Sequence, residues 1–382
     1  MRFFLGPFVT LLARTAALSR VPVAIVPFRF SPDQLKHIRR GFVSPVGLIL
    51  GCMDPSRPPL VVAFELSQKR KAIVADALAG ASAVVYLTEL DETARTEALR
   101  NTGVLLTFNT SKELQPGEAK LLDGARLIQF MIGGVDFIPL GELPEGVPVA
   151  TNGGGYAESM AEHALAMAFA AAKRLVLEHE NLKRGQFNQF TRNRMLAGRV
   201  CGIYGFGGIG AAAARLMHGI GMRVHAINRR GRTDQRVDWI GTPERLNELL
   251  EAADVLLISV PLTRATYGLI GAAELRRMKD DAILINLARG EIVQERALYD
   301  HLVMHTTFTA CIDAWWVEPV RHGQFRIDQP FLDLPNVIAS PHNSAQGDGA
   351  HDISLRRAVE NCRRALTGEA PLHLIGLDER LM

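Results

Sequence analysis

The chain has 382 residues, 48% of them hydrophobic and 22% charged, with a formal net charge of +3. These proportions suit a globular protein of two domains and exclude disorder over most of the length. The small charge, with no long basic block, argues against nucleic acid as a partner. No apolar run reaches the roughly 20 residues of a membrane span.

The opening stretch, MRFFLGPFVTLLARTAALSR, sets arginines around an apolar run, and no acidic residue precedes Asp33. It resembles the start of a secretion or import signal. The other reading makes residues 1–58 an extension outside the working protein, with MDPSRPPLVVAFE at Met53 as a natural beginning. Cys52, Cys201, Cys311 and Cys362 are far apart and have no metal-ligand spacing. They read as reduced thiols of a cytoplasmic protein, and no metal site is expected.

From Leu60 short apolar strands alternate with polar helical stretches. LVVAFE, AVVYL, GVLLTFN and RLIQF read as strands, and QKRKAIVADALAG as a helix stopped by glycine. The pattern is that of a small parallel α/β unit. After the turn TNGGGY, an Ala-rich stretch predicts one long helix over about 157–182, apolar on several sides. A second α/β series starts at Arg199, with strands RVCGIY, MRVHAIN, DVLLISV, AILINL, FTACID and NVIAS. HDISLRRAVENCRRALTG closes it as an amphipathic helix ending at Gly368.

The loop GFGGIG follows the first strand of this second series, and small residues follow it as a helix. Gly205 allows a tight turn, Gly207 lets the backbone approach a pyrophosphate, and Gly210 lets helix and strand pack closely. A glycine turn without a ligand is the plainer alternative. At the end of the next strand, where an acidic residue binds the ribose of NAD, stands Asn228, followed by Arg229, Arg230 and Arg232. A neutral side chain beside guanidinium groups suits the 2′-phosphate of NADP(H), with NAD(H) as the second choice.

Three later strand ends carry chemistry-bearing groups: Arg289 in ILINLARGEIV, Asp313 and Glu318 in CIDAWWVEP, and His342 in VIASPHNSA. An arginine can grip an α-carboxylate with two prongs and polarise the adjacent carbonyl. A histidine passes a proton near neutral pH, and a carboxylate behind it orients the ring. His301 and His305 have a zinc-compatible spacing but lack the glutamate of the zinc-protease helix, and read as plain helix surface.

The motifs GFGGIG, VPLTRATYGLIG, MKDDAILINLARGEIVQERAL, DAWWVEP and NVIASPHNSA, in this order and spacing, resemble D-isomer-specific 2-hydroxyacid dehydrogenases from about residue 60 to 368. The resemblance implies an α/β protein of two Rossmann-like, doubly wound parallel-sheet domains, one flavodoxin-like and one dinucleotide-binding, with the active site in the cleft between them. The substrate domain would be 59–152 completed by the C-terminal helix in 345–382, and the dinucleotide-binding domain 153–344. The resemblance makes Arg289 the substrate-binding arginine, His342 the acid/base and Glu318 its partner, and sets Asp313 near the nicotinamide carboxamide. It gives the substrate carboxylate to the backbone of Gly133, Gly134 and Val135. The cofactor would run along Gly205, Gly207, Gly208, Ile209 and Gly210, past Asn228, Arg229 and Arg230. It would then pass Val260, Pro261 and Thr266, then Leu287 and Ala288, ending at Arg289, Asp313 and His342. Expected substrates are small 2-oxo acids such as glyoxylate or hydroxypyruvate, in a homodimer. Glu318 disfavours formate, because formate dehydrogenases of the superfamily carry glutamine there. The rival reading is a dinucleotide-sensing interaction protein, like the corepressors that share the fold.

Overall fold

The computed structural model describes residues 57–376. The signal-like start, Met53 and Cys52 lie outside the described residues.

Apolar runs with no alternation are the mark of strands covered on both faces, and the first sheet is built from them. Its strands are β1 (Leu60–Val62), β2 (Val84–Tyr86), β3 (Val104–Thr107), β4 (Leu127–Phe130) and β5 (Val149–Ala150). They are parallel throughout, in the order β2-β1-β3-β4-β5, the flavodoxin-like arrangement. Helix α1 (Gln68–Leu78) begins at Ser67, whose hydroxyl accepts from the Arg70 amide, and buries Ile73, Val74 and Leu78.

The second sheet has seven parallel strands: β6 (Val200–Tyr204), β7 (Arg223–Ile227), β8 (Trp239–Gly241), β9 (Val255–Ile258), β10 (Ile283–Asn286), β11 (Thr309–Ile312) and β12 (Val337–Ala339). The order β12-β11-β10-β9-β6-β7-β8 is that of a dinucleotide-binding sheet with one further edge strand. The chain reverses direction across the sheet at β6, so the crevice lies outside the ends of β6 and β9, where such sheets bind ligands. Strands β5 and β8 escape a reading by periodicity, because two and three residues are too few to show one.

The single helix expected over 157–182 is instead two, α2 (Ala157–Ala172) and α3 (Leu175–Lys183). Arg174 is left-handed (φ 55), which breaks the helical hydrogen-bond ladder. The change of direction follows a change of environment. α2 buries its alanines against α4 (Gly208–Gly219) and the second sheet, whereas Leu175, Val176 and Leu182 of α3 are exposed. The last helix, α5 (Ala350–Leu366), returns to the first sheet, with Leu355, Ala358, Val359, Cys362 and Ala365 buried beside α1 and β3. Cys201, Cys311 and Cys362 are free and buried, and burial pushes the Cys201 thiol up to about 12, so it stays a thiol.

Candidate active site

The glycine loop is shaped by close approach. Gly205 has φ 110, and a side chain there would strike the Ser259 carbonyl group, while Ser259 Oγ donates back to the Gly205 carbonyl at 2.9 Å. A Cβ on Gly210 would fall 2.5 Å from the Gly205 carbonyl oxygen, so helix and strand touch as the spacing requires. A Cβ on Gly207, by contrast, would meet nothing within 4 Å. The helix starts at Gly208 rather than after Gly210, and its first amides, on Gly208, Ile209 and Gly210, face this open space with the positive end of the helix dipole. The loop therefore fits a dinucleotide pyrophosphate.

At the end of β7, Asn228 is occupied locally: its Nδ2 donates to the Arg232 carbonyl at 3.0 Å and its Oδ1 accepts from the Arg230 amide at 2.9 Å. Arg229, Arg230 and Arg232 are exposed around it. The segment after β9 is fixed by Thr266, which is buried; its hydroxyl donates to the Pro261 carbonyl and accepts from the Thr263 amide. Val260 packs beside Gly205. Leu287 and Ala288 are buried, with the Ala288 amide held by Asn286.

His342 and Glu318 meet. Nδ1 of His342 is 2.8 Å from both Glu318 carboxylate oxygens. An ionised carboxylate only accepts, so Nδ1 carries a proton and Nε2 is left for other chemistry. Burial of Glu318 opposes its charge, but the bond and charge of His342, the Trp315 amide and the field of Arg289 outweigh it, holding the carboxyl below its ordinary range. Asp313, expected beside the nicotinamide, is fully buried beneath the histidine loop. It accepts from Ser340 Oγ at 2.5 Å and from the amides of Asn343 and Ser344. His163 and Ser159 of α2 bind the same loop, at Ser340 Oγ and the Ser344 carbonyl.

Arg289 sits where the two sheets face each other. Its Nε donates to Asp136 Oδ1 at 3.0 Å and its Nη1 to the Ala288 carbonyl at 2.9 Å. Nη2 lies against Gly134, where a Cβ would come within 2.0 Å of it. Nε and Nη1 are thus engaged, and among the described residues Nη2 is the nitrogen of this guanidinium with no hydrogen bond. Among the described residues, the amides of Gly133, Gly134 and Val135 beside it make no hydrogen bond. Asp136 itself escaped the sequence reading; its signal was an aspartate directly after that glycine loop.

His301 is more than surface. Its ring stacks on His305 at 4.2 Å and meets Phe308 edge-on, and burial followed by the His305 charge pushes it down to about 4. Among the described residues no group of three or more His, Cys, Asp or Glu is arranged around a metal position. Nor is any described helix long and apolar enough to cross a membrane.

Comparison with known proteins places the chain in a family. The family model "D-isomer specific 2-hydroxyacid dehydrogenase, NAD binding domain" matches residues 165–344. The chain is 32% identical over 269 residues to a glyoxylate reductase of Korarchaeum cryptofilum, covering 68% of this chain and 80% of that one. It is 37% identical over 218 residues to a glyoxylate/hydroxypyruvate reductase B of Pectobacterium carotovorum, covering 56% and 66%. A D-isomer specific 2-hydroxyacid dehydrogenase of Xanthobacter autotrophicus, solved with NADPH and MES, shares the fold with a TM-score of 0.68 at 24% identity, covering 84% and 98%. The chain belongs to the D-isomer specific 2-hydroxyacid dehydrogenases and is an NAD(P)-dependent oxidoreductase of that family.

Proposed function

We propose that this enzyme reduces a small 2-oxo acid, glyoxylate or hydroxypyruvate, to its D-2-hydroxy acid, using NADPH in preference to NADH. The observation that carries the reading is the convergence of a protonatable pair, His342 on Glu318, with an arginine whose Nη2 lies against a loop of unpaired amides. Arg289 and the amides of Gly133 to Val135 hold the substrate carboxylate. Arg289 also polarises the adjacent carbonyl, and His342 Nε2 gives its proton to the carbonyl oxygen as that oxygen gains charge. Glu318 stabilises the imidazolium beforehand and fixes the ring. The dinucleotide, when bound, supplies the hydride; Gly205 to Gly210 hold its pyrophosphate.

The cofactor preference rests on the end of β7. Asn228 is committed to its own turn, offers no carboxylate to a ribose, and stands among exposed arginines. One or two charge-assisted contacts, each worth about 1.5–3 kcal/mol, would favour NADPH by about one to a few powers of ten in kcat/KM. The same reading divides the chain into a substrate domain, 59–152 with 345–382, and a dinucleotide domain, 153–344. It also makes the protein a homodimer, a point supported by exposed apolar residues on and after α3.

The test is steady-state reduction of a panel of 2-oxo acids with each cofactor, repeated with Asn228→Asp and Arg229→Ala combined. We expect turnover of glyoxylate or hydroxypyruvate with NADPH, and a shift toward NADH in the double variant. Equal use of the two cofactors by the wild type would end the NADPH assignment, and no turnover of any 2-oxo acid would end the reductase reading.

A further inference from the structure

Arg289 does not stand alone. Its partner Asp136 also receives Arg321, whose Nη2 lies 3.2 Å from Asp136 Oδ2, and Arg321 Nη1 is 2.8 Å from Glu291. All four side chains are largely buried, with between 4% and 16% of each exposed. Among the described residues, Arg321 Nε is buried without a hydrogen-bond partner. A guanidinium kept only to fill hydrogen bonds would not leave a buried donor unmet, a defect costly in folded proteins. Its charge is therefore the feature to explain.

The charges explain it. Asp136 competes with any incoming carboxylate for the Arg289 guanidinium, and a buried pair left to itself would be self-neutralising. Counting Glu318, three carboxylates face two guanidiniums, and a protonated His342 brings the sum to zero. Without Arg321 the sum is −1, and an anionic substrate would approach a site of its own sign.

We propose that Arg321 is a positioning and specificity residue: acting through Asp136, it keeps Arg289 available to the carboxylate of the substrate. The inference rests on the 2-oxo acid reading above and deepens it. The cluster selects a carbonyl compound bearing an adjacent carboxylate over an uncharged one, because only the former responds to the balance of charge that Arg321 maintains. The guanidinium of Arg289 is held in place through its Nε by Asp136, and Arg321 in turn holds Asp136 from its other oxygen.

The test uses the full chain with NADPH and the variants Arg321→Gln, Arg321→Lys and Glu291→Gln/Arg321→Gln. Four quantities are read: KM and kcat for glyoxylate, KM for NADPH, and the Kd of oxalate for the NADPH complex, the last followed by tryptophan emission. Arg321→Gln should raise KM and the oxalate Kd by about 10- to 100-fold, the effect of one charge lost near a carboxylate site in a poorly solvated cluster. Its kcat at saturation and its KM for NADPH should stay near wild type. Arg321→Lys should recover most of the loss, and removing Glu291 as well should recover part of it by restoring the charge sum. An unchanged KM and oxalate Kd in Arg321→Gln would overturn the proposal. So would a parallel fall of kcat and NADPH affinity, or a lysine variant no better than glutamine. If the wild type reduces no 2-oxo acid, the reductase reading fails, while the oxalate measurement still decides the role of Arg321.

Discussion

His342 holds a left-handed backbone (φ 50), a conformation that costs a non-glycine residue about 1–3 kcal/mol and persists only where surroundings impose it. The imposing groups are on hand: Asp313 ties the residues on either side of His342, and Glu318 ties its ring. Replacing His342 by alanine should lower kcat by about 10² to 10⁴, the share usual for general acid–base catalysis, measured under saturating glyoxylate and NADPH. Glu318→Gln should act on pH instead. Because the Glu318 carboxyl is held below its ordinary range, it is ionised throughout the neutral region and steadies a charged imidazolium. Without that negative charge a proton on the His342 ring has no carboxylate beside it, so the fall of the reductive rate with rising pH should begin at a lower pH. An unmoved limb would show that Glu318 serves only to orient the ring. The same depression implies stability that is present above the ordinary carboxylate range and lost as pH falls through the lowered value.

The glycine loop and the start of α4 act as one element, and adjacent glycines in it have different duties. Gly207 borders open space, with φ −99, a value any residue adopts. Gly208 instead presses on the turn before α2: a Cβ there would lie 2.6 Å from the Gly154 Cα, and backbone cannot yield as a side-chain tip can. Gly207→Ala should therefore keep the wild-type Tm while weakening NADPH by about tenfold or more, ~1.4 kcal/mol, because its methyl fills the pyrophosphate space. Gly208→Ala should lose about 1–3 kcal/mol of stability from overpacking, seen as a lower Tm before any cofactor is added. Thermal melts and NADPH fluorescence titrations separate the two. Equal behaviour of the variants would contradict this division of labour.

At the scale of the whole molecule, six of the fifteen exposed large apolar side chains among the described residues fall in one span, 175–195. Phe190 is 92% exposed, and Leu175, Val176, Leu182, Phe187 and Met195 are exposed with it, on α3 and the segment that follows. Monomers rarely leave so much apolar surface in one region. Under the homodimer reading, sedimentation should return twice the chain mass, and Phe187→Asp combined with Phe190→Asp should return one chain. A wild type that sediments as a single chain at micromolar concentration would refute the dimer.

Much of this protein is written locally and could be read from the chain. Glycines at 205, 207 and 210 between a strand and a helix state their purpose, because tight turns and close backbone contacts demand residues without side chains at fixed spacing. Buried parallel strands announce themselves as unbroken apolar runs, and Arg289, Glu318 and His342 stand at strand ends where open sheets bind ligands. The break at Arg174 was not legible, since it depends on which face of the Ala-rich stretch the second sheet covers. Nor was the setting of Arg289. Asp136 lies 153 residues from it in sequence and belongs to the opposite sheet's loop. Its bond to Arg289, its ion pair with a second guanidinium, that of Arg321, and the tether of the His342 loop to α2 are all meetings between distant segments. Local sequence sets the conformation each short stretch prefers. Which buried charge faces which is settled only when the two sheets close on each other, since the cost of an unpaired buried ion is felt only there.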